Sequence, residues 1–551
     1  MFNIKRLFRC ISHRPQKALP ILVSGLIFFA LAIISSGAIA QELPDAGRIL
    51  QENLPTLLQP VKPSVDFTPE GPQLDSVVPG GPEALVKGIV FTGNTIFSQE
   101  TLGKVLGDVA GKPYDLGGLR QLANRISRYY RDEGYPFARA YIPEQTLVDG
   151  MLTIAVIEGR YGTVKAEGNE NLAAGAQGFL KTLVPGSVIQ SKSLERATLI
   201  LGDQPGVQLA PIIRPGTEPG SGDLAVRVIE KPRVSGQVIA DNHGNRYSGE
   251  YRTQVELHLN RIIMFGDEIM LRGLYSNEDL WLGQFAYSLP LGRSGLRGWA
   301  SYAHTGYDLK DPFEGYTGTA RIIAAGLSYP LVRSRSTNLV ASIGYQHKNL
   351  DDELLGSRYN ESSSNSWPFG LRFDHRDDLA EGGVSFGDLT LTPGNLNSHG
   401  NGAPDGSFTK VNLQFARIQN LPAAFSLFAR VSGQWADREL DSSESFNLGG
   451  AGGVRAYPQG EGSGTNGWLG QLELRYTIKN FIPYLFYDSG EIVKDAEDRR
   501  RRIAGAGIGL RCSYGNWGLD LITAWKTDGG DARSDDHQRN PRFWFNGSYR
   551  F

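Results

Sequence analysis

The first forty residues contain no acidic side chain, and the whole chain of 551 residues contains only two cysteines. The leader instead carries Lys5, Arg6, Arg9, Arg14 and Lys17, then an apolar run over 21–34, then Ala38-Ile39-Ala40. A basic start, a short apolar segment and an A-x-A site predict a cleaved export signal over 1–40. The apolar run falls short of the about 20 residues a membrane helix needs, and no later segment is longer. Cys10 precedes the apolar run, which excludes a lipoprotein cysteine, and it leaves with the leader. Cys512 then stands alone and no intramolecular disulfide is available. Losing five positive charges takes the formal net charge from −2 to −7, which argues against a nucleic-acid partner.

The signatures of catalysis are missing too. There is no G-x-S-x-G elbow and no P-loop, since Gly111-Lys112 runs into Pro113. The eight histidines stand singly, without HExxH or zinc spacing. Gly505-Ala-Gly-Ile-Gly509 lacks the strand–turn–helix setting of a dinucleotide site and reads as small residues within a strand. The run TDGGDARSDDHQRN (527–540) lacks EF-hand spacing and reads as a solvated loop. Neither an enzyme, nor a metal site, nor a cofactor is expected.

Glycine (68) and aromatics (10%) are plentiful. From 232 onward the chain alternates. Tyr251, Thr253, Val255, Leu257 and Leu259 interleave with Arg252, Gln254, Glu256 and His258. Trp468, Leu472, Leu474 and Tyr476 interleave with Gln471, Glu473 and Arg475. Leu427, Val431 and Trp435 interleave with Arg430, Ser432 and Gln434. Phe543, Phe545, Tyr549 and Phe551 share the last such face. Period two with a charged opposite face suits strands between lipid and a wet lumen. At roughly 20 residues per strand and connection, 232–551 yields about 16 strands, the even number expected of an antiparallel outer-membrane barrel. Cys512 keeps step with Leu510 and Tyr514 and is expected on the lipid face. Polar runs at 351–365, 395–407 and 527–540 read as loops.

Upstream, residues 45–58 read as a short amphipathic helix with Asp45 as N-cap and Ile49, Leu50, Leu54 and Leu57 on its apolar face. Six prolines within 59–83 predict an extended linker. Two modules follow, 84–158 and 159–231. Gly88-Ile-Val-Phe-Thr-Gly-Asn94 is echoed at Gly162–Asn169, and Leu152–Glu158 at Leu224–Glu230, each a little over 70 residues on. Each module reads as strand, two helices and two strands, with Leu119, Leu122, Ile126 and Tyr129 lining a helix face in the first.

The stretches YYRDEGYPFARAYIPEQ, DGMLTIAVIEG and QPGVQLAPIIRPGTEPGSGDLAVRVIEKP resemble the paired POTRA domains of two-partner secretion transporters, which belong to the Omp85 superfamily and export haemolysins and adhesins. That resemblance spans essentially the whole mature chain. It implies two periplasmic α+β domains, an outer-membrane barrel and an N-terminal helix over 41–58 that plugs the pore at rest. Gly453-Val454-Arg455-Ala456-Tyr457 resembles the family's VRGY motif, carried by a loop (about 446–467) that folds into the lumen. Ala456 replaces the usual glycine, which would be strained if the backbone there were left-handed. Phe486-x-Asp488-x-Gly490 resembles the barrel-wall motif that receives the arginine. The stretch from Gly370 through Asp374 to Asp377-Asp378 also resembles a family motif, of unassigned role. The resemblance implies an unfolded β-helical exoprotein as partner, lipid and lipopolysaccharide around the barrel, and barrel-assembly machinery meeting the terminal Phe551. The alternative is an Omp85-type insertase; a diffusion porin would have no POTRA modules.

Overall fold

The computed structural model describes residues 44–53, 73–399, 404–493 and 500–551. The expected signal, and Leu54 and Leu57 of the expected helix, lie outside the described residues. The helix runs Ala46–Glu52, with Asp45 as N-cap accepting from Arg48 N–H at 2.8 Å.

Each module folds around one amphipathic pair of helices on a three-stranded sheet. In the first, Gly88–Thr92 lies parallel to Met151–Ile157, which pairs antiparallel with Arg139–Tyr141. Helices Gln99–Leu106 and Leu116–Asp132 cover that sheet. A small pair, Ala84–Val86 with Lys112–Tyr114, adds to the expected order. Leu119, Leu122 and Ile126 are buried as expected. The fully buried tyrosine is Tyr130 rather than Tyr129, because its hydroxyl has an internal acceptor in Glu158 at 3.1 Å. The second module repeats the order: Arg160–Gly168, helices Glu170–Gln177 and Ser191–Gly202, then Val207–Pro215 and Ser221–Glu230. Sixteen of its buried apolar side chains besides Tyr161 form one core, each worth about 1.5–3 kcal/mol if large.

Glu158 ties the modules together. It accepts from Thr95 N–H (2.5 Å), Ile96 N–H (2.7 Å), the Thr95 hydroxyl and Tyr130, and pairs with Arg160 of the second module at 3.1 Å. Burial alone pushes its carboxyl up; those donors outweigh burial and hold it below the usual carboxylate value. A depressed folded pKa means the contribution is complete above about pH 4.3 and fades as pH falls through the folded value. Glu158→Gln should therefore weaken the first module by about 1.5–3 kcal/mol and remove part of its acid sensitivity. Hydrogen exchange of the full chain at neutral and acid pH checks this. Equal loss of protection on acidification in both proteins would refute it.

Just before the first module the chain is pinned along helix Leu116–Asp132. Asn124 accepts from Asp75 N–H (3.1 Å) and donates to Asp75 C=O (2.8 Å), while Asp115 receives Gly80 N–H. Gly117 has no room for a side chain there, since a Cβ would stand 2.8 Å from Val78 O.

From Val234 the strands close into an antiparallel barrel in which Val234–Asp241 meets Arg542–Arg550. Ser357–Ser366 and Phe369–Asp377 both lie between Thr337–Leu354 and Gly383–His399. They are halves of one stave broken at Trp367-Pro368, where proline removes a ladder donor, so the barrel has sixteen staves. Outward positions such as Val431, Trp435, Leu472, Leu485 and Phe543 are exposed, while inward neighbours Arg430, Gln434, Gln471 and Glu473 are buried in the lumen. Cys512 pairs with Phe481 and Leu519 on the outward face.

Two expected loops are strand instead. Thr337–Leu354 and Ser357–Ser366 carry 351–365 almost entirely in a hairpin turning at Leu355-Gly356, and Gly383–His399 carries 395–399. Polarity misleads there because these strands project beyond the apolar band, where both faces meet polar surroundings. The 529–541 segment is loop, but Ser534 and Asp535 are buried, so it is not a freely solvated one.

The second module sits on one rim. Arg333 forks onto Asp203 (2.6 and 2.6 Å) and Arg196 donates to Pro330 C=O at 2.8 Å. The motif around Asp374 now has a place: Asp374 accepts from Asn338, whose own carbonyl oxygen accepts from Arg333. Asp377 forks onto Arg417. This motif stiffens the wall behind the module contact.

Candidate functional site in the barrel lumen

The segment 437–465 enters from the rim remote from the modules and turns back into the lumen. A short ladder, Phe446–Asn447 with Ser463–Gly464, closes its root. Gly450 and Gly460 take positive φ, where only glycine is unstrained. Gly453 serves closeness instead: a Cβ would stand 2.1 Å from Leu448 O.

This folding delivers Arg455 to the wall, where it is 3% exposed. Its Nε and Nη2 fork onto Asp488 at 2.8 and 2.7 Å, and its own N–H donates to Asp488 Oδ2 at 3.1 Å. Phe486 lies flat beneath, with the guanidinium carbon 3.7 Å from the ring centre, a cation–π contact. Gly490 leaves the space in which the loop lies, since a Cβ would stand 2.4 Å from Leu448 Cδ1. The three residues of the wall motif thus divide the work physically: Phe486 is the floor, Asp488 the acceptor and Gly490 the clearance. Val454 N–H donates to Leu448 C=O at 2.8 Å. Tyr457 donates its hydroxyl to Asp528 and Gly530 carbonyls at 2.7 and 2.8 Å, and Trp544 Nε1 donates to Arg455 C=O at 2.7 Å.

Sequence reasoning missed Glu473. Arg455 Nη1 donates to it at 2.6 Å, and Arg475 and Arg511 converge on the same carboxylate. Asp520 in turn accepts from Arg511 at 3.0 Å. Three arginines against three acids leave the cluster neutral, which makes its burial tolerable. No local signal marks it: only the register of the closed wall sets this inward acid directly across from Phe486.

Ala456 is absent from the positive-φ residues and fully buried. The usual glycine is therefore no backbone necessity here. Its methyl fills the space over Gly505, where a Cβ would stand 2.4 Å from Ala456 Cβ. Gly507 and Gly509 likewise lie under Phe486 and Tyr484. The GAGIG run is thus a smooth floor for the loop and its aromatic neighbours. Gly505→Ala should cut secretion in the native background and be rescued by Ala456→Gly; an unrescued defect would refute the pairing.

The helix Ala46–Glu52 lies within the same lumen. Ala46, Ile49 and Leu50 pack on Tyr247, Leu274, Leu282, Tyr307 and Ile322. Asp352 accepts from Ala46 N–H at 2.8 Å, and Arg252 and Arg272 donate to Asn53 at 2.8 and 3.1 Å. Acid at the start and cations at the end match the helix dipole. Arg48 donates to Gly460 C=O, joining helix to loop. A polar cavity of about 490 Å³ remains between the helix end, the loop and the wall.

A family pattern described as haemolysin secretion/activation protein ShlB/FhaC/HecB matches residues 220–512, more than half the chain. The chain belongs to the ShlB/FhaC/HecB family. A ShlB-type POTRA domain matches 84–159. The heme/hemopexin transporter protein HuxB of Haemophilus influenzae (strain 86-028NP) is 27% identical over 474 residues, 81% of this chain and 83% of its own. The solved structure of CdiB from Escherichia coli superposes with a TM-score of 0.71 at 20% identity, covering 88% of this chain and 93% of that one. BamA from Haemophilus ducreyi lacking POTRA domains 1–3 gives 0.50 at 14% identity, covering 84% and 99%. As a ShlB/FhaC/HecB member the chain is a two-partner secretion transporter of the outer membrane, in a family of transporters with POTRA domains facing the periplasm. The module rim is thus periplasmic, and the loop enters from outside.

Proposed function

We propose that the chain captures an unfolded, β-prone exoprotein at its periplasmic modules and passes it through the barrel to the cell surface. The observation that carries this reading is a lumen occupied by two pieces that are not staves of the wall, a short helix and a hairpin-rooted loop. The edge strands Gly88–Thr92 and Arg160–Gly168 each have a full strand partner on one side only, and an extended chain can add a strand there by displacing Gln99 from Phe91 and Gln177 from Val164 and Ala166. The Arg455–Asp488 fork holds the loop, and the helix is the resting plug. No step consumes a nucleotide here. Lipid and lipopolysaccharide surround the outward face. Phe551, half exposed and paired through both backbone groups with Gly236 at the seam, is the signal for barrel-assembly machinery.

Co-expression with a candidate β-helical exoprotein, scored by the appearance of that protein outside the cell, tests the reading. Retention in the periplasm with a folded transporter would overturn it. An insertase would instead change the assembly of other barrels; the plug-filled lumen and the two-module layout favour secretion.

A further inference from the structure

Besides Arg455 and the buried Glu461–Arg501 pair, the inward loop has a further ionic anchor, and the helix rests on it. The turn Ser442–Glu444 buries Glu444 between two lysines of the wall. Lys348 Nζ donates to Glu444 Oε1 at 2.7 Å, and Lys410 Nζ lies 2.7 Å from Oε2. Ser364 donates to Oε1 at 3.1 Å, while Lys410 and Gln434 donate to the Glu444 carbonyl at 3.1 and 2.9 Å. Glu444 is 2% exposed and the lysines 4% and 8%, so bulk water does little to screen the group. The anchor is separate from the Arg455 cluster, whose acids Glu473 and Asp488 sit on Asn466–Tyr476 and Phe481–Val493.

The same turn is the seat of the helix. The Ser443 carbonyl accepts from Lys348 Nζ at 2.9 Å and also from Gln51 Nε2 of the helix. Ser442 Oγ donates to Asp45 Oδ1 at 2.6 Å. Gly47 fits so closely that a Cβ there would stand 2.5 Å from Ser443 N. A helix of seven residues does not hold its shape alone in water, so it depends on a surface already formed. A buried ion pair adds little net stability but fixes geometry through directional bonds.

We propose that Glu444 is a positioning residue for the plug: with Lys348 and Lys410 it fixes the turn 442–444 as the helix's seat, and breaking that contact releases the helix while the Arg455–Asp488 fork stays closed. This rests on the reading of Ala46–Glu52 as the plug. Neutralising Glu444 leaves two ammonium groups facing each other without a counter-charge, so the turn moves and its fit to Gly47 and Gln51 is lost.

Planar-bilayer recordings of four transporters test this: native, Glu444→Gln, a chain lacking residues 45–53, and the combination. Glu444→Gln should raise the open-to-plugged ratio roughly tenfold, the effect of losing about one hydrogen bond to a charged group. It should add nothing once the helix is gone. Native-like occupancy in Glu444→Gln, or an equal gain in the chain without the helix, overturns the proposal. An unchanged current on removing the helix overturns the plug reading and this inference with it; a rise there with a silent Glu444→Gln overturns this inference alone. Heat-modifiable migration reports folding. If Glu444→Gln does not fold, Gln51→Ala decides, because it removes the helix's own bond to the seat without stranding a charge: an opened channel supports the proposal and native occupancy overturns it.

Discussion

Arg455→Ala is expected to abolish secretion of the partner while leaving a barrel that still reaches the membrane. The reason lies in what each substitution strands. Without Arg455, the fully buried Asp488 loses both side-chain bonds of the fork, whereas Glu473 keeps Arg475 and Arg511. A buried charge stripped of its partner costs about 3–5 kcal/mol, enough to expel the loop from its place. Asp488→Ala leaves Arg455 with Glu473 at 2.6 Å, so its loss of secretion and of thermal stability should be the smaller of the two. Arg455→Lys should resemble the alanine variant in secretion, since an ammonium cannot reproduce the fork and the second bond to Glu473 together. Secretion assays with surface-labelled partner, beside heat-modifiable migration, separate transport from folding. Equal secretion by Arg455→Ala and the native chain would remove the arginine from the mechanism.

Deleting residues 45–53 carries the second large effect: a several-fold rise in single-channel conductance. The helix fills the region bounded by Tyr247, Leu274, Tyr307 and Leu350 with Ala46, Ile49 and Leu50, all essentially without exposure. Its ends are received by Asp352 and by Arg252 with Arg272. Removing it empties that volume and leaves charged wall groups to be hydrated, which draws water and ions through. Bilayer recordings at fixed salt read the result directly. A current indistinguishable from the native chain would show that the loop alone closes the pore. Gly47→Ala provides a milder version, because the gain of about 1 kcal/mol in helix propensity is set against a backbone collision at Ser443.

Much of this could be seen in one dimension. Alternation at Tyr251–Leu259 and Trp468–Tyr476 reports a wall with lipid on one side and water on the other, because strand geometry forces successive side chains to opposite faces. The repeated modules follow from the echo of Leu152–Glu158 at Leu224–Glu230. Arg455 and Asp488 are legible through short motifs. Glu473 is not, since an inward acid among many inward polar residues has nothing local to mark it. The polar run 351–365 reads as a loop in the sequence, because composition reports surroundings and not hydrogen bonding.

What the sequence determined by itself is therefore the class of wall, the approximate number of its staves and the tandem modules, set by local period and repeat, while the arginine and its acid came from the resemblance of two short motifs to those of a known family. Only the tertiary structure decided that Ala456 rests in an ordinary backbone conformation over Gly505, that Glu473 completes a neutral cluster, and that Lys348, Lys410 and Glu444 share a turn with the helix. Those contacts join residues up to about four hundred positions apart, such as Asp45 and Ser442. Closing the barrel brings such pairs within hydrogen-bond reach, and no periodicity along the chain encodes that approach.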